Sequence, residues 1–185
     1  MELYPITLFL HVTGALGLFI GMGMEWVTLR HFCQVTTASE ALRWKKTFGI
    51  LKGIFISSGL LVLLPGLYMV FDRWGWTAWV IFGLILWFAL AMFGNVIVGK
   101  KIMGIIKPLK ETDGLLSAET QKKLRDPFVH KSLIVRMMLA LGIVFTMVEK
   151  PGSAETIIAL VSAAVIGLLI VVPSKSEELS SAAEG

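Results

Sequence analysis

The chain has 185 residues, 56% of them hydrophobic and only 16% charged, with a mean hydropathy of +0.79. A soluble domain carries about 25% charged residues, so this composition excludes an ordinary soluble protein, and the length leaves room for a single small bundle. A net charge of +4 does not point to nucleic acid, because Lys and Arg gather in the connections between apolar runs, where they encode membrane topology.

Five apolar runs, at about 5–29, 47–71, 76–99, 128–148 and 154–172, each approach the roughly 20 residues that cross a bilayer as helix. They predict an all-α polytopic bundle over 1–172, followed by a mobile polar tail at 173–185. Glu2 stands where a signal peptide would begin with basic residues, and no cleavage site of small residues precedes a polar domain, so a cleaved leader is not expected. Pro65 is placed to kink the second run. Ser39–Lys46 can extend that run as helix, with Trp44 anchored at the interface. Asp126 is suited to cap the fourth run, with Pro127 in its first turn. In the long third connection Ser117 can cap a short helix. Ile102, Met103, Ile105 and Ile106, among Lys100, Lys101 and Lys107, read as an interfacial extension of the third run. Cys33 is the single cysteine and excludes an intramolecular disulfide.

Orientation follows from the basic residues. Arg30, Arg43, Lys45 and Lys46 mark the first connection, and eight Lys and Arg from Lys100 to Lys131 mark the third. Arg73 and Lys150 alone mark the second and fourth. This asymmetry predicts an N-terminus outside and a C-terminus in the cytoplasm. The aromatics agree, with Tyr4, Tyr68, Trp74, Trp76 and Trp79 at the outer interface and Trp26 and Trp44 at the inner one.

Several polar side chains fall inside the apolar runs. Stacked antiparallel, the spans bring Glu25, Lys52, Asn95 and Arg136 to a similar depth. Isolated charges there cost on the order of 2.5–3.5 kcal/mol at the bilayer centre, so a shared layer lowers the penalty by pairing. Such a layer suits a proton or anion path or a ligand carboxylate; the plainer reading is that Glu25 pairs with Lys52 or Arg136 to fix helix register while the surplus base reaches lipid phosphate. His11 lies near the outer end of span one. A neutral imidazole can ligate haem iron or copper, and the plainer reading is a hydrogen bond to a neighbouring helix. No second histidine shares that side, so a bis-histidine haem needs another copy of the chain or another protein. Met69 and Met147, near the outer ends of their spans, are the partners available within the chain, and His with Met suits c-type-like haem ligation or copper equally, so the cofactors expected are haem b or copper, or none. His31-x-Cys33, with His130, is too sparse for a metal centre. Gly14, Gly17 and Gly21 form a small-residue stripe that lets another helix approach closely, either within the bundle or from a second copy or partner membrane protein. No phosphate-binding glycine loop, nucleophile elbow or carboxylate pair for hydrolysis is evident, and the chain reads as non-enzymatic rather than catalytic.

The stretch FLHVTGALGLFIGMGMEW resembles the start of small bacterial integral membrane proteins related to the copper-resistance protein D membrane domain, matching at His11, Gly14, Gly17, Gly21 and Trp26. That broad group includes a haem-binding protoporphyrinogen oxidase and proposed copper importers. The resemblance implies a bacterial inner-membrane protein, redox- or metal-associated, with His11 as its haem or copper ligand. The competing expectation is an accessory or scaffold subunit without a cofactor of its own.

Overall fold

The computed structural model describes residues 3–111 and 114–172; the tail at 173–185 lies outside the described residues. The described chain is almost wholly helical. Helix α1 spans Tyr4–Phe32 and α2 Ala38–Met69, the latter continuing as a π-turn at Val70–Trp74. Helix α3 (Ala78–Met92) passes through a π-turn at Phe93–Val98 into α4 (Gly99–Ile106). A short α5 (Ala118–Leu124) precedes α6 (Pro127–Glu149) and α7 (Ser153–Val171). Five helical stretches are long and apolar enough to cross a membrane, and the protein is a multi-pass membrane protein. Its outward side chains fit that setting: Phe9, Leu16, Ile20, Ile85 and Leu169 are each at least 60% exposed, a surface that is stable against lipid and not against water.

The helix ends follow local chemistry. The Thr37 hydroxyl accepts from the Glu40 amide, so α2 begins well before the apolar run and carries Trp44 within it. Ser117 accepts from the Thr120 amide, and Asp126 accepts from the Phe128 amide at 2.8 Å ahead of Pro127. Pro65 is buried within α2, which runs on through it. Gly75, at φ 65°, supplies the left-handed residue that turns the chain from the π-turn toward α3.

Helix α1 packs along α2, α6 packs along α7, and α3 lies against α6 and α7. The glycine stripe is what brings α1 and α2 together. A Cβ at Gly14 would come within 2.7 Å of the Val62 backbone nitrogen, one at Gly17 would strike the Ser58 hydroxyl, and one at Gly21 would meet the Phe55 ring at 3.1 Å. The stripe is therefore covered by α2 of the same chain.

The buried apolar residues concentrate toward the two ends. At one end Phe32, Val35, Ala41, Ile106, Leu116 and Leu124 form a core beneath the first and third connections. Those connections are joined directly, Ala38 N–H donating to the Gly114 carbonyl and Leu116 N–H to that of Thr36. Ile102 and Ile106 are buried in this core, whereas the sequence suggests an interfacial surface; the returning connection covers them. At the other end Val70, Trp79 and Val80 pack with Trp74 and Met147, Tyr4 meets Trp74 edge-on, and Arg73 lies over the Tyr4 ring.

Candidate functional site: a cavity between a histidine and a buried ion pair

Between these cores a cavity of about 160 Å³ runs among α1, α2, α3 and α6. His11 and Met147 line it toward one end, and Glu25, Arg136 and Asn95 line it toward the other. Phe19, Trp87, Leu90 and Ile143 make its middle apolar. A smaller space of about 60 Å³ continues past His11 and Met147 toward Trp74 and Trp79.

His11 is 7% exposed, and its Nδ1 lies 2.7 Å from the Val62 carbonyl oxygen. A carbonyl can only accept, so Nδ1 carries the proton and Nε2 is left as the basic ring nitrogen. This contact forms beside Pro65, whose missing N–H leaves the Leu61 carbonyl without its helical donor. Gly66 makes the seat: a Cβ there would press on the imidazole at 3.0 Å.

At the other end Arg136 donates from Nη2 to Glu25 Oε1 at 2.7 Å. Both residues are 6% exposed. The pairing offsets part of the cost of taking two charges out of water. Glu25 Oε2 and Arg136 Nε have no hydrogen-bond partner among the described residues. The guanidinium occupies space that only a glycine leaves open, since a Cβ at Gly94 would lie 2.6 Å from Nη1. Gly94 belongs to the π-turn at Phe93–Val98, a local irregularity that often accompanies functional positions.

Of the four polar residues expected at one depth, the structure joins Glu25 and Arg136. Asn95 lines the cavity next to them, and its amide donates to its own helix at the Ala91 carbonyl. Lys52 is exposed and lines none of these cavities, so the layer contracts to one ion pair with an amide alongside. Of the sulfur donors, Met147 shares both spaces with His11. Met69 is fully buried and lines neither. His31 stacks on Trp44, His130 meets Trp26 edge-on, and the Cys33 thiol donates to the Leu124 carbonyl. These three thus have separate partners, and among the described residues no group of three or more His, Cys, Asp or Glu is placed to hold a metal.

Sequence reasoning passes over three glycines that seat the side chains of this site. Gly66 receives His11, Gly94 receives Arg136, and Gly59 receives Trp87, whose ring would lie 3.3 Å from an added Cβ. The one local signal is a glycine beside a helix-disturbing neighbour, as in Pro65-Gly66 and Gly94-Asn95. No protein-family model, curated protein or solved structure matches this chain.

Proposed function

We propose that this is a metal-associated protein of a bacterial cytoplasmic membrane that holds a cuprous ion through His11 and Met147. The observation that carries this reading is the Nδ1–H bond from His11 to the Val62 carbonyl. Metal-ligating histidines characteristically donate their second ring nitrogen in this way, which fixes the ring and leaves the other nitrogen as the ligand. Met147 lines the same space, and imidazole with thioether is a donor set suited to soft Cu(I). Copper bound there would supply one-electron chemistry or a transit site for the ion. The residues do not fit a haem within one chain, since about 160 Å³ falls short of the roughly 300 Å³ at which ligand pockets begin.

The N-terminus is read as outside and the C-terminus as cytoplasmic. Supporting this, the backbone bridge between the first and third connections gathers the two most basic segments at one end of the bundle. Kinship with the copper-resistance protein D membrane domain forms part of the same proposal and rests on His11, the glycines and Trp26. The scaffold reading loses its docking edge, because Gly14, Gly17 and Gly21 are taken up by α2, so a partner helix would need another face.

The test is anaerobic titration of the detergent-purified protein with Cu(I) against a colorimetric cuprous chelator. Stoichiometric retention is expected, and it should be lost in both His11→Ala and Met147→Leu. Wild-type protein that retains no more copper than His11→Ala would overturn the proposal. A Soret band that vanishes in His11→Ala would replace copper with haem.

A further inference from the structure

The end of the bundle closed by the first and third connections carries a second hollow, open to the surface. It measures about 570 Å³ and is lined by Trp26, Arg30, Cys33, Gln34, Arg125 and His130, within the roughly 300–1,000 Å³ of small-ligand sites. None of these residues lines the space between His11 and Met147, so the hollow is independent of the copper proposal. Segments distant in sequence build it. The Cys33 thiol donates to the Leu124 carbonyl at 2.9 Å and ties the end of α1 to the end of α5, which brings Arg125 to the same hollow as Arg30. Trp26 meets His130 edge-on, with 5.9 Å between ring centroids, and holds the imidazole at the wall.

Its charge is one-sided. No Asp or Glu lines the hollow, and neither Arg30 nor Arg125 forms an ion pair among the described residues. Asp126, next to Arg125 in the chain, is held by Lys101 and by the Phe128 amide. Two permanent positive charges therefore face one concave space without a counter-charge, beside the donors of Gln34 and His130. Guanidinium groups match phosphate in geometry as well as charge. A carboxylate or a phosphodiester brings one charge and two free oxygens. A phosphate monoester brings close to two charges at neutral pH and three free oxygens, which answers both arginines and leaves an oxygen for the neighbouring donors.

We infer that this hollow binds a phosphate monoester, its charge taken by Arg30 and Arg125 and its remaining oxygens bonded by Gln34 and His130. The group can come from an anionic lipid head in the adjoining leaflet or from a soluble phosphate ester. The surroundings favour lipid: Trp26 is the kind of residue that sits at headgroup level. On the same side of α1, two turns before Arg30, Gly23 faces open space, and two turns further Leu16 is 60% exposed. An acyl chain can lie along that strip.

The test uses the full chain in phosphatidylcholine nanodiscs, where both faces are accessible. Cys33, in the wall of the hollow, is labelled with the neutral reagent N-ethylmaleimide. Phosphatidic acid, phosphatidylglycerol at matched net charge, or glycerol 3-phosphate at constant ionic strength is titrated in. Each rate is divided by the same protein's rate without the addition. Phosphatidic acid should slow labelling saturably, reaching half its effect at about tenfold lower content than phosphatidylglycerol, the worth of one further hydrogen bond between charged groups. Arg30→Gln with Arg125→Gln should abolish the slowing, whereas Lys122→Gln with Lys123→Gln, which removes equal charge nearby, should leave it intact. Protection by glycerol 3-phosphate as well would assign a soluble ester; protection by phosphatidic acid alone would assign the lipid. Native mass spectrometry of the unaltered protein, counting phosphatidic acid retained per chain, needs neither a variant nor a reactive thiol. Equal slowing by the two lipids would overturn the inference, as would equal slowing in the double arginine variant or retention of phosphatidic acid no greater than of phosphatidylglycerol.

Discussion

The Glu25–Arg136 pair sets what single substitutions do in this protein. Removing one partner of a buried pair strands the other charge, at a cost of about 3–5 kcal/mol, while replacing both with apolar residues is far milder. Glu25→Leu and Arg136→Met are each expected to lower folded yield sharply, and the double variant to recover most of it. Unfolding in mixed detergent measures all three, and a double variant as unstable as the sum of the singles would show that the two side chains act independently. The acid and its alternative bases are legible in the sequence, because ionisable residues in apolar runs stand out. The choice of Arg136 over Lys52 is not legible, since it depends on which face each residue presents, and at a similar depth the two look alike.

Among helices, close approach is governed by glycines, and here the sequence is informative to different degrees. The spacing of Gly14, Gly17 and Gly21 announces a packed edge, and that edge meets α2. Gly59, Gly66 and Gly94 carry no comparable pattern, because each answers to one large side chain arriving from a different helix. The π-turns are equally silent in hydropathy, which registers apolar content and not helical pitch. Gly14→Ala forces a methyl toward the backbone at Leu61 and Val62, which cannot rotate away. It should cost about 1–3 kcal/mol, as overpacking does, and should loosen the His11–Val62 bond one turn away. Thermal unfolding measures the first effect. Gly23→Ala, where an added Cβ meets nothing within 4 Å, should be neutral in the same measurement.

On the scale of the whole molecule, Cys33 reports both sidedness and the closed end of the bundle. As the single cysteine, it needs no competing thiols removed. Burial pushes its thiol pKa up, against a smaller opposing effect of Arg125, so less thiolate is present at neutral pH and maleimide labelling should be slow, quickening as pH rises past the ordinary thiol range. In intact cells an impermeant maleimide should leave it unlabelled until the membrane is opened. Labelling from outside would reverse the orientation. The five spans are plain in the sequence from length and composition; the clasp between 36–38 and 114–116 is not, since two short polar connections carry no periodicity to pair them. The ion pair also imposes an order on the protein's making. Glu25 and Arg136 are 111 residues apart, so at about 5–20 residues per second the ribosome takes several seconds or more after placing the acid before it supplies the base. Through that interval the opening hairpin holds an unmatched charge, and nascent chains halted before α6 should be prime targets for membrane quality-control proteases.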